Sequence, residues 1–307
     1  MGGVAQPAHA SPPRARLQAD LTLLLVAAIW GSAFVAQRVA ALNMGAYLFN
    51  GMRFLLGALV LLPFTWRRPG QGERPRRKPR CGDLAGIALA GLLLFGAISF
   101  QQVGLRYTTA SNAGFITGLY VVFIPLILAV PWSGKRQLPG RAVWVASLLA
   151  AAGLFLLSTG GTLQLAPGDN LVLVCAVLWA FHVIWIGRLV QRLDVLHVAL
   201  GQDLVCGLLS LAVGLAFEGG AFPQSPAAWW AVAYTGVFSI AIGYTLQAVG
   251  QRVAPAADAA IILSLEAVFA ASFGWLVLDE HLSALQLLGC GLMLAGMLLA
   301  QVGTRSR

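Results

Sequence analysis

Charge is what this sequence has least of. Only 10% of its 307 residues are Asp, Glu, Lys or Arg, where soluble domains carry roughly a quarter. With 59% hydrophobic residues and a mean hydropathy of +0.80, the chain has too little polar surface to be solvated as an ordinary globule. No region is long and polar enough to form a separate extramembrane domain. Cysteine is sparse too: Cys81, Cys175, Cys206 and Cys290 are scattered, three of them inside apolar runs. No two share a metal-ligand spacing and no disulfide framework emerges, so they read as small core residues. The nucleotide-binding P-loop pattern is missing, which excludes self-supplied ATP hydrolysis. H-E-x-x-H and G-x-S-x-G are missing as well, and Asp279, Glu280 and His281 fall at a loop rather than on a zinc-binding helix. Nothing supplies the nucleophile, metal or acid–base pair of an enzyme, and no cofactor is expected.

What is present is a succession of apolar stretches, at about 20–41, 46–66, 84–105, 109–131, 141–159, 169–189, 196–217, 228–249, 256–277 and 283–302. Each is long enough to cross ~30 Å of hydrocarbon as a helix. Breakers separate them, among them Pro69 and Gly70, Pro139 and Gly140, Pro167 and Gly168, and Pro255. The expectation is an all-helical, polytopic membrane protein with ten spans. The net charge of +9 sits mainly in loops, above all at Arg67, Arg68, Arg74, Arg76, Arg77, Lys78 and Arg80. A basic cluster just outside a span is a topology signal and a contact for anionic headgroups, not a nucleic-acid site. With the amino terminus in the cytoplasm, 17 of the 20 Lys and Arg fall on the cytoplasmic side, Arg38, Arg53 and Arg106 being the exceptions. Residues 1–19 and 303–307 then read as cytoplasmic tails of a multi-pass inner-membrane protein. The first apolar stretch is too long for a signal h-region and is expected to be retained.

The second half of the chain repeats the first. Residues 101–123 and 247–269 share ten identities in 23 positions, including Gln101 with Gln247, Gly104 with Gly250, Leu119 with Leu265 and Phe123 with Phe269. Trp30 pairs with Trp179 and Gly57 with Gly207 in the same way. Two repeats follow, at 20–159 and 160–302, each with five spans. An odd number inverts the second repeat relative to the first. The charges agree: Lys135 and Arg136 after the fourth span correspond to Asp279 and Glu280 after the ninth. Inverted repeats place a pseudo-two-fold axis in the membrane plane, with a substrate site near the midplane between them.

These residues resemble a known group. Gly118 to Pro125 (GLYVVFIP) and Leu265 to Phe269 (LEAVF) look like EamA-type modules. The latter runs on into Gly274, Trp275, Asp279 and Glu280, and the early pair Trp30 and Gly31 and the closing helix with Gly289 and Gly296 fit the same pattern. The resemblance covers about residues 20–302 and points to the drug/metabolite transporter superfamily. It implies ten helices around a central cavity, with amino acids, sugars, nucleotide precursors or drugs as substrates, often exported. One departure is Ala267, where the second module commonly has proline.

Ionisable and polar groups at membrane depth are the candidate site residues, because each is costly there. Glu266 lies about ten residues into the ninth span, roughly 15 Å deep, and suits a substrate amine or a coupled proton. Its repeat partner is Tyr120, and helix spacing brings Thr117 and Asn112 toward the same side. Trp30 and Trp179 are mid-depth, away from the interfacial belt, as cavity wall or packed core. His182 and Trp185 follow Trp179 at one-turn steps, and a core histidine is the structural alternative for His182. Gln101, Gln247, Arg53 and Asp203 read as gating or structural polar residues, since Gln amides commonly bridge helices. The expected function is a secondary transporter of small metabolites that exports amino acids by alternating access. A drug or dye exporter and a lipid-linked-sugar flippase are alternatives on the same plan, and a membrane-embedded enzyme is a remote one. The expected partners are a small-molecule substrate and membrane lipids.

Overall fold

Where apolar sequence meets hydrocarbon, the backbone must satisfy its own hydrogen bonds, and a helix does so within one segment. The computed structural model describes residues 13–66, 77–108, 110–130, 139–161, 166–219, 225–278 and 282–305. Among them every regular element is helical, apart from an isolated bridge between Arg77 and Leu193. The helices are α1 (Pro13–Asn43), α2 (Ala46–Leu61), α3 (Cys81–Gly104), α4 (Ala110–Gly118), α5 (Tyr120–Ala129), α6 (Arg141–Thr159) and α7 (Asp169–Leu189). They continue with α8 (Val195–Phe217), α9 (Pro226–Tyr234), α10 (Thr245–Gly250), α11 (Ala256–Leu263), α12 (Glu266–Leu278) and α13 (Ala284–Arg305). A 3-10 turn (Leu62–Trp66) prolongs α2, and a π-helical stretch (Thr235–Tyr244) joins α9 to α10. Several starts are capped from the sequence itself. The Asp194 carboxylate accepts from the His197 backbone N–H to open α8, and Ser225 with Pro226 opens α9.

Among the described residues, seven helices or continuous helix runs are long and apolar enough to cross a membrane, and Ala113–Ala129 and Ala284–Ala300 are shorter apolar helices. The large apolar side chains Trp66, Phe217, Trp230 and Leu276 point outward, as a lipid-facing surface requires. The chain is a multi-pass membrane protein.

Three features add to the sequence expectation. Helix α1 begins at Pro13, so part of the expected 1–19 tail is helical; proline is well suited to a first turn, where its missing N–H is no loss. The expected spans at 109–131 and 256–277 are each interrupted. Leu119 N–H bonds Ile116 O at 3.2 Å and Leu265 N–H bonds Ile262 O at 3.1 Å, tightening one turn in each. The eighth expected span carries the π stretch, whose wider turns are enriched at functional sites. The charged positions Lys135, Arg136, Asp279, Glu280 and His281 lie outside the described residues.

Packing is exchange-like between the two halves. Helix α2 runs along α8, α6 along α13, α3 against α7 and α8, and α1 against α12 and the α9–α10 run. The α6–α13 seam is close-packed. A Cβ at Gly153 would stand 2.5 Å from Gly289 O and 2.6 Å from Met293 Cγ, and one at Gly289 would stand 2.6 Å from Gly153 O. Only glycine lets the backbones meet there, the small-residue packing that membrane helices use in place of a hydrophobic drive. Gly153→Leu should therefore lower the melting temperature in detergent, with a cost of about 1–3 kcal/mol for overpacking. Gly291→Leu, where a Cβ meets nothing within 4 Å, should leave it unchanged. Equal shifts for the two would show that the seam does not matter.

Candidate functional site

The buried core converges on the middle of the bundle, where α1, α2, α3, α4, α5, α7, α11, α12 and the π stretch surround a small cavity. About 50 Å³ of it is open to the centres of water-sized molecules. Seven of the residues singled out from the sequence line it: Trp30, Arg53, Gln101, Thr117, Tyr120, Trp179 and Glu266. The fold delivers them by close approach. A Cβ at Gly31 would stand 2.6 Å from Phe269 Cβ and 2.7 Å from Glu266 O. This backbone-to-backbone contact of α1 with α12 holds Trp30 at the level of Glu266.

Three rings make an aromatic wall. Trp179 and Tyr244 are stacked with centroids 6.0 Å apart, and Trp30 tilts against both, 6.2 Å from Trp179 and 5.1 Å from Tyr244. Trp30 Nε1 donates to Ser239 O of the π stretch at 3.1 Å, fixing its orientation. Trp179 Nε1 is buried. Such faces bind apolar groups and cations alike. The polar part of the wall comes from Gln101, whose amide donates to Thr117 Oγ1 at 3.2 Å, from Ser239, and from two charges. Glu266 opens α12 on one side and Arg53 projects from α2 on another.

The other predicted residues stand elsewhere. His182 sits behind the aromatic wall, fully buried, edge-on to Trp179 and Tyr244, with Nε2 3.0 Å from Gln202 Oε1. Trp185 is turned away, its indole donating to Gly86 O at 2.8 Å. Asp203 and Gln247 are buried off the cavity lining, Asp203 beside the Gln202 amide. Asn112 falls in α4, with its side chain outside the described set.

Tyr244, Ser239 and Gln37 are the polar lining residues that the sequence reading missed. Tyr244 carried a signal of a kind, because it lies 146 positions after Ile98, the same offset that aligns the two halves. Its counterpart is apolar, so polar pairing did not reveal it. Ser239 acts here through its backbone carbonyl, which no side-chain pattern reports.

Comparison with known proteins fits this architecture. The model of the EamA-like transporter family matches residues 17–159 and again 166–301. An uncharacterized transporter of Archaeoglobus fulgidus is 33% identical over 290 residues, covering 94% of this chain and 87% of the relative. The threonine/homoserine exporter RhtA of Escherichia coli K12 is 29% identical, over 90% of this chain and 88% of RhtA. The uncharacterized inner membrane transporter YedA of the same organism is 26% identical over 90% of this chain and 88% of YedA. A crystal structure 21% identical in sequence shares the fold, with a TM-score of 0.76 over 94% of this chain and 98% of the other. With its two matched segments spanning nearly its whole length, the chain belongs to the EamA-like transporter family, a family of transporters and not of enzymes.

Proposed function

We propose that the chain exports amino acids, or similar small amphipathic metabolites, across the inner membrane by alternating access. In this reading ten helices cross the membrane as two inverted five-helix repeats, 20–159 and 160–302, with both termini cytoplasmic. The observation that carries it is the make-up of the cavity wall. Eight lining residues are four repeat-related pairs: Trp30 with Trp179, Ile98 with Tyr244, Thr117 with Leu263, and Tyr120 with Glu266. A cavity on the axis relating two inverted halves is where secondary transporters bind substrate.

Local geometry supports the same axis. The tightened turns at Leu119 and Leu265 occupy equivalent positions, one residue before Tyr120 and Glu266. Gly104 packs on Val172 of α7 as Gly250 packs on Leu23 of α1, and both contacts exchange under the repeat. The RhtA relative moves threonine and homoserine by its name, which favours amino acids and export here. An aromatic wall also suits a lipophilic cation, so a drug or dye exporter is the second reading.

With the amino terminus cytoplasmic, one ionic cluster closes the cytoplasmic side. Arg16 on α1 bonds Asp20 at 3.0 Å and reaches Asp258 at the start of α11 at 2.8 Å. It ties the two halves together below the cavity, as a gate would.

Counterflow in proteoliposomes tests the reading: labelled threonine should accumulate saturably in vesicles preloaded with amino acids, and unlabelled amino acids should abolish the signal. Competition by lipophilic cations alone would replace amino acids with drugs. If Glu266 also carries a coupled proton, an imposed pH gradient should drive wild-type uptake, while Glu266→Gln should keep facilitated flux and lose the response. An unaltered response would remove Glu266 from coupling. For the gate, Asp258→Asn should raise several-fold the labelling of a Ser239→Cys reporter by a membrane-impermeant maleimide added on the cytoplasmic side. The variant lacking the reporter corrects for native thiols, and unchanged labelling would count against the Arg16 cluster as a closure.

A further inference from the structure

We propose that Arg53 is the carboxylate-binding residue of the cavity, so that the solute carried is a zwitterion spanning from Arg53 to Glu266. The inference rests on the transporter reading of the same cavity and gives it a substrate class and an orientation.

Arg53 is only 3% exposed and opens onto the cavity. Its Nε donates to Asn50 Oδ1 at 3.1 Å. Its Cζ lies 4.8 Å from the centre of the Phe49 ring and 5.3 Å from that of Phe54. One amide and two ring faces thus fix the plane of the guanidinium while leaving its terminal nitrogens without a hydrogen bond or ion pair among the described residues. Asp203 on α8, the helix packed along α2, and Glu266 on the cavity wall form no ion pair with it among the described residues.

A cation held in a bundle core without a counter-ion is costly, and such groups mark ligand sites or ion paths. A fork of parallel N–H donors matches a carboxylate in bidentate fashion, where a lysine would offer only a point charge. The charge count narrows the ligand further. Among the described cavity-lining residues Arg53 is the one cation and Glu266 the one anion, so these residues are balanced for a solute with one charge of each sign. A phosphate dianion would leave excess negative charge, and a simple amine would leave Arg53 unanswered. Trp30, Trp179 and Tyr244 line the same cavity, faces suited to an ammonium and to a short apolar side chain.

Threonine serves as the probe, beside threoninamide, which lacks the carboxylate, and 2,3-dihydroxybutyrate, which lacks the amine. Counterflow and ligand-induced shifts of melting temperature are read in parallel, so that binding is seen whether or not flux occurs. In the wild type, both analogues should compete at least about tenfold more weakly than threonine. Arg53→Gln should raise KM for threonine by about tenfold or more and erase the preference for threonine over the amide. Arg53→Lys should keep part of that preference. Glu266→Gln should instead erase the preference over the hydroxy acid.

Amide and threonine competing equally in the wild type, or Arg53→Gln keeping the preference for the acid, would overturn the assignment. The same holds if no carboxylate compound shifts the melting temperature. Stabilisation by threonine that Arg53→Gln abolishes, in a protein without flux, would uphold Arg53 and remove the transporter reading instead. Should Arg53→Gln fail to fold, the analogue series on the wild type and Arg53→Lys decide the matter.

Discussion

A charge inside an apolar bundle must be answered by an opposite charge, by hydrogen bonds or by a ligand, because the surrounding medium offers little solvation. In this protein the two charges that line the central cavity do not answer each other. Arg53 is held by Asn50 and two phenyl faces, and Glu266 stands at the start of α12. Close contacts on several sides hold the cavity wall in place. The Gly31 contact sets α1 against α12, the stacked Trp179 and Tyr244 rings brace α7 against the π stretch, and the Trp30 indole is tied to Ser239 O. The cavity is a polar gap kept open by apolar walls.

The same economy explains where the helices deviate from regularity. Leu119 and Leu265 make tighter turns immediately before the residues that bring Tyr120 and Glu266 to the cavity. A lapse in the regular ladder is tolerable in a membrane only where neighbouring protein or a wet cavity can satisfy the freed groups. Both lapses occur beside the cavity, and so does the π stretch that contributes Ser239 and Tyr244.

The apolar runs made the helical, membrane-embedded character legible, since a stretch of that length and composition has few alternatives. The mid-depth polar residues were legible for the same energetic reason, and seven of them line the cavity. The repeat offset also carried more than was drawn from it: it pairs Tyr244 with Ile98, but a tyrosine facing an isoleucine does not look like a shared site. The interruptions at Leu119 and Leu265 were illegible because leucine favours helix; the turns are set by tertiary contacts. Trp185 and His182 share a helical face with Trp179 as their spacing implies, yet a face wide enough to hold all three extends beyond the cavity, and Trp185 meets Gly86 of α3. Periodicity gives the face and leaves open what each part of it touches.

The glycine seam between α6 and α13 has a consequence for anything arriving from the bilayer. With Gly153 and Gly289 in backbone contact, no slot remains between these helices for an acyl tail to slide through. A solute bearing a lipid anchor would need a doorway between some other pair of helices, whereas a water-soluble one needs none. That wall of the molecule is a hull.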